Sequence, residues 1–360
     1  MSNWKTRLFL KYLHFQTRPS RIRRYLEHSC RGERPAHPLS PGGRLVRAAA
    51  LQVELAMQRD PLDYAEEMRR YVEKAAGAGA QLVVFPENNG LQLFGMLPGI
   101  PVQENHSNVP ADSLDSASVL EILRHVGPVI RRAAVVTFSN LARLYNVHIM
   151  AGSFMHPEGS RVVNRAYLFG PAGELLGTQD KVHLFPTELN WGLAKGKDFK
   201  VFKTVLGTLA MPICMDATYF ETFRILRHLG ADIVTVPIAN AEPFQEYRAL
   251  RGIWPRVQES LVFGVKSALV GQFMGMVFTG KAGIYAPLEL TENRDGILGE
   301  SSRPYGSSQV IADLDLDALQ ALRNHHPYLG DTNPALYRRY FPTVYRANQG
   351  DGSHGSSNPI

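Results

Sequence analysis

Cysteine is scarce in this 360-residue chain, with Cys30 and Cys214 as its only two copies. Two cysteines cannot build a disulfide framework, and neither has Cys or His neighbours at zinc-ligand spacing, so no metal site is assigned and a reducing, cytoplasmic setting is expected. Long hydrophobic runs are missing too. None approaches the ~20 apolar residues of a spanning helix, and the first residues lack the apolar core and small-residue cleavage site of a secretory signal. No internal repeat is visible. The net charge of +6 raises the question of nucleic acid until its location is traced. Residues 1–47 hold eleven Lys or Arg against Glu27 and Glu33, a net of +9, which leaves about −3 for the remainder. The body therefore has no electrostatic footprint for nucleic acid.

What is present at the N-terminus is a basic amphipathic arm. Trp4, Leu8, Tyr12 and Phe15 recur at helical spacing among Lys5, Arg7 and Lys11, and Pro19 closes the segment. Ser20 is then placed to cap a second helix bearing Ile22, Tyr25 and Leu26 opposite Arg21, Arg23 and Arg24. Residues 1–30 are thus a candidate for peripheral contact with an anionic membrane, although packing of the arm's apolar face on the body or on a dimer mate is the simpler expectation. Pro35 to Gly43 reads as a linker, which sets a domain scheme of arm and linker over 1–43, a folded body over 44–320, and an extension with a Gly/Ser/Asn-rich tail over 321–360.

Within the body, strand and helix patterns alternate. Leu45 to Val53 and Gln81 to Phe85 read as buried strands around a helix whose Ala65, Met68, Val72 and Ala75 share one face. A helical pattern spans Ser118 to Tyr145, strands follow at His148 to Phe154 and Ala166 to Phe169, and Gly170 to Gly173 is a turn. Glu221 to Leu229 reads as helix, Ile233 to Val236 as strand, and Leu269 to Gly283 as further strand material. The class is α/β. Leu91 to Asp115 is long for a plain connection and is expected to shape a pocket.

Three places call for chemistry. Glu87 directly follows the apolar Leu82-Val83-Val84-Phe85-Pro86, where burial would raise its pKa and suit it as a general base, though a loop glutamate often only caps the next segment. Lys181 stands in a mostly apolar loop with Glu188 seven residues on and Trp191 beyond; the pair can offer a fixed charge to an oxyanion or be an ordinary salt bridge. Cys214 ends the apolar run from Thr208, where a nucleophile belongs at a strand end and a buried small hydrophobe is the competing reading.

These pieces resemble, in order, the motifs of the nitrilase or carbon–nitrogen hydrolase superfamily over roughly residues 47–319. Phe85-Pro86-Glu87 is similar to its first motif, Lys181-Val182-His183-Leu184 with Glu188 and Trp191-Gly192 to its second, and Ile213-Cys214-Met215-Asp216 with Glu221 and Arg224 to its third. The resemblance implies a four-layer α-β-β-α sandwich and a Glu87, Lys181, Cys214 catalytic set, with Glu188 as a second acid of the site and no cofactor. It further implies that Glu87 takes the thiol proton, Cys214 attacks the substrate carbonyl, and Lys181 with the Met215 N–H holds the oxyanion. Trp191, Tyr219 and Asn240 are candidates for lining the substrate pocket, as are Glu242 and Phe244. Met215-Asp216 is closer to amide-cleaving than to nitrile-cleaving members, so a small amide or carbamoyl substrate is expected. Phe220, Ser260 and Ala282 depart from common family residues near that pocket. A nitrilase, an N-acyltransferase using the same thioester, and a non-catalytic binding module are the alternatives. A homodimer or higher homo-oligomer is implied as well.

Overall fold

In the computed structural model, residues 3–30, 44–98, 116–327 and 332–347 are described. The linker over 35–43, most of the long segment after Leu91, and the tail over 348–359 lie outside the described residues. Two helices come first, α1 (Asn3–Gln16) and α2 (Pro19–Ser29). The body continues with β1 (Leu45–Glu54), α3 (Pro61–Gly77), β2 (Leu82–Val84), α4 (Ser116–Tyr145), β3 (His148–Glu158), β4 (Arg161–Phe169) and β5 (Leu175–Asp180). Then come α5 (Pro186–Asn190), β6 (Val201–Thr204), β7 (Gly207–Ala210), α6 (Phe220–His228), β8 (Ile233–Ile238), α7 (Glu246–Leu250) and α8 (Ile253–Ser260). It closes with β9 (Phe263–Phe273), β10 (Met276–Phe278), β11 (Gly283–Tyr285), β12 (Ile297–Glu300), β13 (Ser308–Asp315) and α9 (Leu316–His325). Residues 320–360 form a separate compact unit whose described part includes α10 (Pro334–Ala347).

The main strand path runs β5-β4-β3-β2-β1-β9-β8-β7-β6. It turns back at β1, which pairs with β2 along Ala48–Ala50 but with β9 only at Gln52–Glu54. The period of two then sorts the side chains into layers. Ala49, Leu51 and Val53 pack with α3 and α4, whereas Val46, Ala48 and Ala50 meet Leu209, Ile233, Phe263 and Val265 from the other half of the sheet. On that half, Ala210, Val234 and Val236 face Phe223 and Leu226 of α6 and Val257 of α8. The layers are α-β-β-α, as the resemblance implies.

Local signals explain the helices. Asp60 accepts from Leu62 N at 2.7 Å and Pro61 opens α3, whose Ala65, Met68, Val72 and Ala75 are buried. Pro19, expected to close the first helical segment, follows the end of α1 at Gln16 and also starts α2, because its fixed φ suits a first helical position. Ser20 consequently lies inside the first turn and is not the cap; Arg18 precedes the helix with no side-chain capping bond. The short, polar strands β5 and β12 carry too little periodicity to be read from sequence.

The arm packs on the body, α2 through the face expected and α1 through the side away from its predicted stripe. Ile22 and Leu26 of α2 and Leu13 of α1 are buried in the cluster shared with α3 and α4. Arg21 makes a fork to Asp60 at 3.0 and 2.7 Å, and Arg143 donates to Glu27 at 2.9 Å. Trp4, Leu8, Tyr12 and Phe15 point outward, each more than half exposed. Among the described residues, no helix is long and apolar enough to cross a membrane.

Candidate active site

Four chain segments meet at the C-terminal ends of β2, β5, β7 and β8, the edge where open α/β sheets bind ligands. The turn carrying Glu87 is fixed from three sides. Phe85 N donates to Met150 O at 2.8 Å, Ser267 Oγ donates to Phe85 O at 2.7 Å, and Asn88 N donates to Ser153 Oγ at 3.2 Å. Gly152 makes the approach possible, since at its φ of +75° a Cβ would stand 1.9 Å from Pro86 O.

Lys181 follows β5, its backbone N–H donating to Asn164 O on β4 at 2.8 Å. Its ammonium is buried between two carboxylates, 2.7 Å from Glu87 Oε1 and 2.6 Å from Glu188 Oε2. Asn164 Nδ2 donates to Glu87 Oε1 and to Glu188 Oε1, both at 2.9 Å. The remaining oxygen, Glu87 Oε2, accepts from Ala239 N at 3.0 Å, and Glu188 Oε2 also accepts from Phe185 N at 2.8 Å. Asn164 and the Ala239 N–H were not foreseen. A buried amide within the apolar Val162-Val163 to Ala166 stretch is the signal that marks Asn164.

Cys214 sits at φ +46°, a left-handed conformation that is uncommon for a side-chain-bearing residue and typical of strained functional turns. It opens a single 3₁₀ turn, Cys214–Thr218. Buried Asp216 in that turn accepts from Ile213 N at 2.9 Å, from His183 N at 2.7 Å and contacts His183 Nδ1 at 2.9 Å. It thereby ties the cysteine turn to the lysine loop. The thiol donates to Asn240 Oδ1 at 3.5 Å.

Burial raises the pKa of Glu87 despite the pull of Lys181. Burial works against the Lys181 ammonium, but Glu87, Cys214 and Glu188 together keep it raised and therefore charged. The Cys214 thiol is pushed well up, first by burial and then by the Glu87 charge, more than Lys181 lowers it. Burial and the nearby carboxylate together therefore favour the neutral thiol over the thiolate.

A cavity of about 100 Å³ is lined by Glu87, Lys181, Glu188, Trp191, Cys214 and Asn240. A second, of about 360 Å³, shares Phe185, Cys214, Asn240 and Glu242 with it and extends past Met215 and Phe244 to Lys266. Of the predicted pocket residues, Tyr219 lines neither. Its ring stacks on His183 with centroids 4.2 Å apart, because the 3₁₀ turn carries it over the lysine loop. Among the described residues, no His, Cys, Asp and Glu cluster has a metal-holding arrangement.

Residues 47–288 match the carbon-nitrogen hydrolase family model, about two thirds of the chain. The chain belongs to the carbon-nitrogen hydrolase family. A probable hydrolase of Bacillus subtilis, YhcX, is 30% identical over 78% of this chain, which spans about half (52%) of that relative's length. An omega-amidase of Danio rerio is 23% identical over 79% of this chain and 94% of its own. The amidase from Nesterenkonia sp. AN1, at 22% identity and a TM-score of 0.60, shares the fold over 84% of this chain and 99% of that one. A mutant of that amidase carries the acetamide moiety of fluoroacetamide on its active-site cysteine.

Proposed function

We propose that this carbon-nitrogen hydrolase cleaves a small amide or carbamoyl compound through a thioester on Cys214. The observation that carries the reading is the buried Lys181 ammonium, held between Glu87 and Glu188 in the cavity that Cys214 lines. Glu87, its pKa raised by burial, removes the thiol proton as sulfur forms a bond to the carbonyl carbon. Lys181 and the Met215 N–H stabilise the oxyanion. Collapse of the tetrahedral species breaks the C–N bond, and the proton on Glu87 passes to the departing nitrogen, which leaves as ammonia or amine. Water then gives a proton to Glu87 and its oxygen to the acyl carbon, and the C–S bond breaks as Glu87 passes that proton to sulfur, releasing the carboxylic acid and restoring the thiol.

Glu188 acts through Lys181, fixing the ammonium's position with one oxygen while Asn164 and Phe185 N hold the carboxylate. The smaller cavity suits the scissile group and the larger one the rest of the substrate. The omega-amidase relative favours an amide over a nitrile. Ammonia release from a panel of aliphatic and dicarboxylic monoamides tests the reading. Turnover by the native chain, with loss of at least 10³-fold in Glu87→Gln and Lys181→Met, is expected on the scale of general-base and oxyanion contributions. Equal turnover by those variants would contradict it.

A further inference from the structure

The outward stripe on α1 has no part in the proposed chemistry. Trp4, Leu8, Tyr12 and Phe15 follow one another at spacings of four, four and three, and are 61, 60, 54 and 53% exposed. Leu13, on the opposite side, anchors the helix in the core. Arg7 and Lys11 flank the stripe and are exposed, and Arg18 lies with its guanidinium 4.5 Å from the Phe15 ring centre. Beside Phe15 opens a shallow cleft of about 510 Å³ lined by Arg18, Arg21, Arg24, Tyr25 and His28. Among the described helices, only α1 and α10 contain no Asp or Glu, and both expose large apolar residues; those of α10 are Leu336, Tyr340, Phe341, Val344 and Tyr345.

We propose that α1 seats this protein on an anionic lipid bilayer. Trp and Tyr rings with flanking Arg and Lys suit the headgroup boundary, where an aromatic body can be buried while a polar edge stays wet. The helix is held on α4 through Leu13 and through Arg132, which reaches His14 and Thr17, so its apolar stripe lies along the surface. The cleft of Arg18, Arg24 and His28 faces lipid phosphates at the end of that stripe. Charge complementarity selects this occupant over a second copy of the chain, because two such stripes facing each other would bring Arg7, Lys11 and Arg18 against their own kind with no acid on α1 to offset them. Each Lys or Arg near such a surface contributes enough that reversing two of them weakens binding about tenfold or more.

The test is flotation of the full chain with vesicles of phosphatidylcholine alone or mixed with phosphatidylserine, at low and high salt. The protein is expected to float with the phosphatidylserine vesicles, to lose that binding in high salt, and to float far less with phosphatidylcholine alone. A Leu8→Ser, Tyr12→Ser, Phe15→Ser variant and an Arg7→Glu, Lys11→Glu variant, each with unchanged circular dichroism and melting, should each lose at least about tenfold in partitioning. No flotation by the native chain, or equal flotation by both variants, would overturn the proposal. So would a fall in lipid-free molecular mass of the serine variant in sedimentation, which would make the stripe a joint between copies.

Discussion

Asn164 gives one nitrogen to two carboxylates, and that single group fixes how Glu87 and Glu188 face Lys181. A hydrogen bond to a charged group is worth roughly 1.5–3 kcal/mol, so Asn164→Leu should lower kcat about 10- to 100-fold. Because the lost bonds favoured the ionised form of Glu87, the acid limb of the pH–rate profile should also move upward, a change that a merely structural defect would not produce. An unmoved limb would remove Asn164 from the positioning of the base. Glu67 offers a second test away from the site. Burial raises its pKa to about 7, against which the Gln58 hydrogen bond works only in part. Between pH 4.5 and 7 the native state therefore holds more protons here than the unfolded chain does, so stability falls as pH rises through that window. Glu67→Gln should be nearly neutral at pH 4 and stabilising at pH 8 by up to about 3 kcal/mol, read from denaturant midpoints.

At the scale of elements, the site depends on close backbone approaches. Gly152 lets β3 pass under the Pro86 carbonyl, so Gly152→Ala must displace the turn that presents Glu87. A misplacement of about 1 Å can cost on the order of 100-fold in rate, and that loss with the secondary structure intact is the expected outcome by kinetics and circular dichroism. Glu87 and Cys214 stood out because each ends an apolar run and Lys181 because its loop is mostly apolar, and the helices of the body were legible from their caps and one-sided apolar faces. Asn164 was passed over, because an Asn inside an apolar stretch shows what it serves only once the fold sets it opposite Glu87 and Glu188. Tyr219 was misread for a related reason: proximity in sequence to Cys214 does not reveal that the turn carries its ring onto His183. On α1, helical spacing identified an apolar stripe but not which side the body covers, since Phe9, Leu10 and Leu13 form a second apolar face and it is this one that packs on the core.

For the whole molecule, the arm is part of the folded core. Leu26 is fully buried among α3 and α4, so Leu26→Ala should destabilise the protein by about 2–5 kcal/mol in a thermal or denaturant melt, although it lies far along the chain from the catalytic motifs. A value near zero would mean that the arm docks without contributing to the cooperative unit. We further propose, from the family resemblance, assembly into a homo-oligomer, for which the exposed Phe220 and Ile225 of α6 and Leu229 just after it offer an apolar patch. Sedimentation should return at least a dimer. The claim on which the account rests is the acyl-enzyme, and the direct measurement is the intact mass of the rapidly quenched protein after brief exposure to a simple aliphatic amide. The account predicts a gain equal to the acyl group less one hydrogen, located on the peptide holding Cys214 and absent from Cys214→Ala, with ammonia released alongside. Undiminished ammonia release by Cys214→Ala would contradict it.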